Sequence, residues 1–288
     1  MLPQTLFVLA SALSAVTAGP VRKRCGGKPN VSSSTVLEAS TPASTVVSAT
    51  SASASSSASA APITGPRLPS TGAGTQLPAA SGQLQHIVVG HGIQNYTCAR
   101  ADSAASSSTG ALAVLYDITA LAPGGGGAAS MSEAAWAALA GDVLHGTAIP
   151  LNIVGNALTP YAADVAAPFA AGGRDADLAM AGLAAPLKAL GRHYFDAAGV
   201  PTFDLYGADQ MLVAKKLNDT AAPAGADRGI LDTGAVAWLR LGDNGAGGSR
   251  GGLSTVYRVY TSGGASIACT EANTTISVPY TAQYWFYS

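Results

Sequence analysis

The sequence predicts a mainly β domain, either an antiparallel β-sandwich or a β-barrel with short helical insertions. Two observations support this class. Apolar and polar residues alternate along several short segments, and glycine-rich stretches separate those segments. A Gly-His-Gly sequence at residues 90–92 predicts a turn or bulge between the first two segments. Strands are expected at residues 85–89, 92–98, 112–118, 211–217, 235–241, 254–261, 275–278 and 283–287.

Two further segments have the spacing of apolar residues that is typical of helices. The first covers residues 132–140, where Ser132 is a suitable N-cap residue. The second covers residues 177–190 and is interrupted by Pro186. Only two helical segments are expected beside eight strands, and both are short, so they are interpreted as insertions into a β fold.

The N-terminal residues have the features of a secretory signal peptide. An apolar run at residues 6–18 ends in Val16-Thr17-Ala18, small residues that a signal peptidase accepts. This run is too short to cross a bilayer as a helix. Residues 1–18 are therefore predicted to be a signal peptide, with a buried amphipathic helix as the alternative. The protein is predicted to be secreted and to stay extracellular or in a cell wall.

Residues 19–78 are predicted to form a disordered tether ahead of a single β-rich domain at residues 79–288. Between residues 31 and 61 the composition is reduced almost entirely to Ser, Thr, Ala and Val. Such a segment cannot bury enough apolar surface to offset the entropy of ordering its backbone. In an exported protein it is typical of an O-glycosylated stalk.

Export has consequences for sequons and cysteines. Asn30 in the tether and Asn218 in an expected loop are the predicted N-glycosylation acceptors. In an oxidising compartment Cys98 and Cys269 are expected to pair, because both lie inside the domain, with two buried free thiols as the alternative. Cys25 is then left in the tether, either to be trimmed away or to pair between molecules.

Composition excludes some classes of partner. The net charge is −1 and 11% of the residues are charged, so no basic surface for nucleic acid is expected. No later segment approaches the length of a membrane span, and the C-terminus lacks the hydrophobic tail of a lipid-anchor signal. Neither a nucleic acid nor a membrane span is therefore predicted.

Several motifs that occur in order make the chain resemble the DUF3455 family. The opening motif is LQHIVVGHGIQNYTC at residues 84–98. The other matching segments are residues 193–195, 201–205, 236–239, 256–264 and 278–286. The resemblance covers about residues 79–288, and it implies a secreted, often fungal protein of uncharacterised function.

Members of that family are frequently labelled malate dehydrogenase, which would imply an oxidoreductase. A nicotinamide dehydrogenase needs a strand, a Gly-x-Gly-x-x-Gly turn and a helix whose N-terminus holds the pyrophosphate. The glycine-rich segments at residues 124–127 and 242–252 lack this pattern and the acidic residue that should follow it. No dehydrogenase and no cofactor is therefore predicted from the residues.

The histidines and nearby aspartates offer two possible sites. His193 close to Asp204 could act as a general base whose tautomer the carboxylate fixes, as in a hydrolase. His86 and His91 could share a metal ion if the chain bulges at Gly90. Structural hydrogen bonds explain the same residues without chemistry. No metal site is therefore predicted, and His193 and Asp204 remain the catalytic candidates.

Aromatic residues are concentrated near the C-terminus. Tyr284 and Trp285, together with His91, are the predicted ligand-binding residues, because aromatic faces stack on sugars. Core packing is the alternative for both rings, and it is the favoured one. The predicted function is a non-catalytic binding module for a cell-wall polysaccharide or another extracellular molecule. The alternative is a secreted enzyme, either a hydrolase at His193 and Asp204 or the oxidoreductase that the family label implies.

Overall fold

The computed structural model describes residues 66–72, 74–101, 106–125 and 129–288. The predicted signal peptide, the Ser/Thr-rich part of the predicted tether, Cys25 and Asn30 lie outside the described residues. The described chain forms a closed antiparallel barrel in which each strand pairs with the next and the last pairs with the first. The strands are β1 (Leu84–Cys98), β2 (Ser107–Asp117), β3 (Ala189–Phe195), β4 (Pro201–Leu205), β5 (Gln210–Thr220), β6 (Trp238–Asp243), β7 (Thr255–Gly263) and β8 (Thr274–Tyr287). The predicted antiparallel β class is confirmed, and its form is a barrel.

Closure of the sheet creates two apolar layers, one on each side of the barrel wall. The lumen layer includes Val88, Leu115, Phe203, Leu212, Val256 and Phe286. The outer layer lies between the wall and the segments that cover it, and it includes Ile87, Val114, Trp136, Tyr257 and Trp285. Successive residues of a strand point to opposite faces, so β8 supplies side chains to both layers and is buried on both faces.

Helix α1 (Glu133–Gly146) covers part of the outer face of the barrel, against β1, β7 and β8. The predicted N-cap is confirmed, because the Ser132 hydroxyl accepts a hydrogen bond from the Ala135 N–H. Two side chains of β8 donate to carbonyls of the helix: Gln283 Nε2 to Trp136 at 3.0 Å, and Thr281 to Ala140. The described residues contain no helix with the length and apolar character of a membrane span.

The turn or bulge predicted at residues 90–92 is wrong, because β1 is continuous through them. Gly90, His91 and Gly92 each pair in register with β2 on one side and with β8 on the other. The glycine at position 90 is required by close packing: a Cβ there would lie 2.7 Å from a ring carbon of Tyr284. The segments expected at residues 275–278 and 283–287 are likewise one strand, β8.

The helix predicted at residues 177–190 is also wrong. Leu178 and Leu187 instead form an isolated antiparallel bridge with both N–H···O distances at 2.9 Å, and β3 begins at Ala189. Pro186 has no N–H to donate and disfavours a helical conformation in the residue before it, so this segment is extended. Strands β3 and β4, which form a hairpin beside β2, were not among the expected strands.

Two connections tie peripheral segments to the barrel. The predicted disulfide is confirmed: Cys98 and Cys269, 171 residues apart, join the end of β1 to the segment before β8 with an S–S distance of 2.04 Å. Residues 74–83 have no regular structure, but Leu77 packs against the outer layer. The Tyr257 hydroxyl lies 3.2 Å from the carbonyl oxygens of Pro78 and Ala79, to which it donates.

Candidate functional site in the mouth of the barrel

The lumen of the barrel is filled with apolar side chains at one end and holds a cavity at the other. This cavity, the barrel mouth, has a volume of about 300 Å³ and lies near the carboxyl ends of β1 and β3. Apolar side chains from β3, β4 and β6 form much of its wall. The residues that give it chemical character are Gln94, Tyr96, Ser108, His193, Phe195, Lys216, Arg258 and Tyr284. Lys216 is exposed and forms an ion pair with Asp219 at 3.0 Å.

Arg258 is a buried cation in this cavity, with a side chain that enters the lumen from β7. The residue is 8% exposed and lies directly opposite Tyr284 on β8 and Leu239 on β6. Its Nε and Nη2 both donate to the carbonyl of Ala237, at 3.2 and 2.8 Å. Among the described residues no carboxylate lies within 4 Å of it, whereas Arg192, Arg228 and Arg250 all form ion pairs.

The phenols around Arg258 do not supply the missing negative charge. Burial raises the pKa of Tyr96 to about 12, although the nearby guanidinium opposes the rise. Burial also raises the pKa of Tyr284, against the opposing effects of Arg258 and of a hydrogen bond with Tyr280. The Tyr280 and Tyr284 hydroxyls lie 2.9 Å apart. All three phenols therefore stay protonated at neutral pH and act as neutral hydrogen-bonding groups.

His193 contributes an imidazole to the lining of the barrel mouth. Its Nδ1 lies 2.9 Å from the Thr202 carbonyl oxygen, which can only accept, so Nδ1 carries the proton. Nε2 then has a lone pair, and no described residue donates to it. Burial lowers the pKa of His193 to about 4; the Thr202 hydrogen bond opposes this, and the charge of Arg258 adds to it. The imidazole is consequently neutral at physiological pH.

Asp204 is not part of the barrel mouth, so the expected His193–Asp204 pair does not form. His193 lies opposite Phe203 in the β3–β4 pair, and Asp204 follows on the other face of the strand. The carboxylate of Asp204 instead accepts from Arg250 Nη2 at 3.1 Å, outside the lumen. The His193–Asp204 pair that was expected to act as a general base is therefore absent.

Of the three predicted ligand-binding residues, only Tyr284 lines the barrel mouth. His91 is fully buried on the outer face, where its Nδ1 meets the Thr147 hydroxyl at 3.2 Å. Trp285 lies under α1, with its ring centroid 6.3 Å from that of Trp136. Tyr284 and Trp285 are each 1% exposed. The stacking surface that these rings were expected to present therefore lies inside the fold.

The remaining predicted features have simple locations. Asn218 is exposed, but it lies in β5 beside a register shift and not in the expected loop. Among the described residues no group of three or more His, Cys, Asp or Glu side chains is placed to hold a metal ion.

Arg258 was not predicted as a site residue. The sequence does hold one indication, because Arg258 is the only charged residue in the otherwise apolar and aromatic segment 256–260. A charged residue is rarely buried in such a strand unless it has a partner or a function.

Comparison with known proteins gives a family and no function. The model of a family described as "Protein of unknown function (DUF3455)" matches residues 78–288. Neither the curated proteins nor the solved structures contain a significant match to the chain. Any functional conclusion must therefore come from the chemistry of the described residues.

Proposed function

Because the chain belongs to the DUF3455 family, whose description names no function, we propose a function from the barrel mouth: a non-catalytic module that binds a small organic anion. The observation that carries this proposal is the buried guanidinium of Arg258 without a carboxylate partner. An isolated buried charge costs several kcal/mol of desolvation, and an anionic ligand would offset part of that cost. The bound anion would supply the counter-charge that the protein leaves out.

The wall of the cavity indicates what the rest of the ligand is like. Phe195, Phe203 and Leu239 offer apolar contact surface, and the hydroxyl of Tyr284 offers one neutral hydrogen bond. A few polar groups in a mainly apolar concave site are typical of small-molecule binding. The favoured ligand is therefore a carboxylate with a compact apolar or aromatic body, small enough for about 300 Å³.

Binding is favoured over hydrolysis for a geometric reason. A hydrolase at this site would need His193 to be oriented by a carboxylate and paired with a nucleophile. The Thr202 carbonyl occupies Nδ1, and the pKa of His193 is lowered to about 4 by burial, which makes it a weak base at neutral pH. The proposal therefore gives His193 a role in ligand contact through Nε2.

We further propose that the domain works outside the cell, as the signal-peptide prediction for residues 1–18 indicates. The disulfide between Cys98 and Cys269 supports this, because such bonds persist mainly in oxidising compartments. Residues 79–288 would then be the working domain, carried by the tether of residues 19–78. Asn30 and Asn218 remain the proposed glycan acceptors.

A thermal-shift screen tests the binding proposal. The purified chain is heated with a panel of aryl and alkyl carboxylates, each beside its uncharged amide. A ligand that binds the native state raises the melting temperature of the protein. Carboxylates are therefore expected to raise it and their amides are not, because only the carboxylates carry the charge that pairs with Arg258. Equal shifts for acids and amides, or none, would contradict the proposal. The proposal would also be contradicted if the chain bound only wall polysaccharides and the Arg258→Met variant bound them equally well.

A further inference from the structure

A second cavity lies on the outside of the barrel wall, away from the lumen. This outer cleft has a volume of about 840 Å³ and is bounded by α1, residues 223–227 and the outer face of β6 and β7. Gly141 of α1 brings the helix close to Asp227, since a Cβ there would lie 3.1 Å from the carboxylate oxygen. The residues used below are Asp142, His145, Asp227, Trp238, Tyr260 and Ser262, which all line the cleft.

The backbone of Tyr260 is strained. It has a φ of +47°, in the left-handed region that a bulky L-residue avoids. The residue lies where the β7–β8 register shifts between Val259 and Ser262, which is the geometry of a bulge. Glycine would adopt this conformation without steric strain, so the phenol side chain is kept despite a cost in backbone energy. Its ring is half-buried in the cleft, 5.7 Å from the indole of Trp238.

Trp238 provides an independent observation at the same place. The residue is 2% exposed, and its Nε1–H has no hydrogen-bond partner among the described residues. A buried donor without an acceptor is destabilising, and nearly all such groups in proteins are paired. By contrast, the Trp285 Nε1–H donates to Gln283 at 3.0 Å. Because Trp238 lines the cleft, an acceptor on a ligand that reaches the indole N–H would supply the missing partner.

The charge of the cleft restricts the ligand. Asp227 accepts hydrogen bonds from Ser262 and from His145, the latter at 2.8 Å. Burial opposes ionisation of Asp227, but the hydrogen bonds from Ser262, the Gly229 N–H and His145 together lower its pKa, so it is ionised. Asp142 adds a second carboxylate to the lining. Ser262 donates to Asp227 and not to His145, so these three residues do not form a nucleophile–base pair.

We propose that the outer cleft is a saccharide-binding site for neutral or amino sugars, stacked on Tyr260 and hydrogen-bonded to the Trp238 indole. Aromatic rings stack on the apolar faces of sugars, and sugar oxygens accept from an indole N–H. The carboxylates of Asp142 and Asp227 accept from hydroxyl or ammonium groups and repel acidic sugars. This site is independent of the proposed anion site, which lies on the opposite face of the wall.

Calorimetric titration with three oligosaccharides tests the cleft: N-acetylglucosamine oligomers (neutral), glucosamine oligomers (cationic) and oligogalacturonate (anionic). The full chain is expected to bind one or both of the first two and not the third. Tyr260→Gly is expected to weaken that binding by at least about tenfold, as loss of a stacking ring should. The variant is expected to fold, because relief of the strain at this φ offsets part of the packing that is lost with the ring. Tyr161→Ala, which removes a half-buried tyrosine outside the cleft, should bind like the parent chain.

Several results would overturn the inference. They are absence of binding by all three oligomers, preference for oligogalacturonate, or unchanged affinity in Tyr260→Gly. If Tyr260→Gly does not fold, Tyr260→Asn repeats the test, because asparagine tolerates the left-handed conformation. Arg258→Met separates the two sites: it should keep the affinity for saccharide, and loss of saccharide binding in this variant would place the ligand in the barrel mouth instead.

Discussion

The imidazole of His193 lies parallel to the phenyl ring of Phe203, with ring centroids 4.0 Å apart and planes 3° apart. The two residues are directly opposite each other in the β3–β4 pair. Together with the Thr202 carbonyl, this stacking fixes the ring with Nδ1 directed at the backbone. Orientation of the histidine is therefore achieved by strand pairing and not by a carboxylate, which is why His193 fits a ligand contact better than a general base.

Acid should destabilise the protein through its two buried histidines. Burial lowers the pKa of His91 and of His193 to about 4 from the ordinary 6.5. The unfolded chain binds more protons between these values, so the free energy of unfolding is highest above pH 6.5 and falls as the pH drops towards 4. Each histidine should account for on the order of 3 kcal/mol of that loss. Urea unfolding of the parent chain and of His193→Phe from pH 7 to 4 measures the slope, which should be smaller in the variant.

Arg258→Met should not destabilise the ligand-free protein. The substitution removes a buried charge that has hydrogen bonds but no carboxylate partner, and it supplies an apolar side chain of similar length. We therefore expect the free energy of unfolding to stay level or rise by about 1–2 kcal/mol. Arg192→Met is the matched control, because Arg192 pairs with Asp175 at 2.7 Å and its loss leaves a buried carboxylate. The control should lose about 3 kcal/mol. A similar loss in both variants would show that Arg258 is structural.

Gly90→Ala should disturb the barrel mouth from inside the wall. The added Cβ would lie 2.7 Å from the Tyr284 ring and 3.0 Å from Leu115 Cδ2, so at least the Tyr284 ring would have to shift. We expect a loss of about 1–3 kcal/mol by denaturant unfolding, typical of overpacking. Gly146→Ala at the end of α1 meets no atom within 4 Å and should be neutral or slightly stabilising. Equal stability of the two variants would contradict the tight packing of Tyr284.

Removal of the disulfide should have a large effect on stability. The bond closes a loop across 171 residues, and the chain-entropy model gives it about 5 kcal/mol. The double variant with Cys98→Ser and Cys269→Ser should unfold at a lower urea concentration than the oxidised parent chain. Its midpoint should equal that of the parent chain under reducing conditions. Insensitivity of the parent chain to reductant would contradict this expectation.

The fold class and some local elements were predictable from the sequence, whereas the functional arrangement was not. The Ser132 cap follows from the local sequence, and the Cys98–Cys269 pair follows from the predicted export of the chain. Alternation of apolar and polar residues marks a strand with one buried face, but it does not mark β8. The lumen and α1 bury both faces of this strand, so it has no polar side. For the same reason the sequence could not say that Tyr284 faces the lumen while Trp285 faces the helix. The role of Arg258 depends on which face closure turns inward, a property of the whole sheet.

Calorimetric titration of the parent chain, Arg258→Met and Arg250→Met with carboxylates and their amides at pH 7 tests the anion site most directly. Arg250 is the matched control, because it pairs with Asp204 outside the lumen. Carboxylates are expected to bind the parent chain and Arg250→Met alike. Arg258→Met should bind them at least about tenfold more weakly, as loss of a charge-assisted hydrogen bond implies. Equal affinity in Arg258→Met, or binding of amides as tightly as acids, would contradict the assignment of the barrel mouth as an anion site.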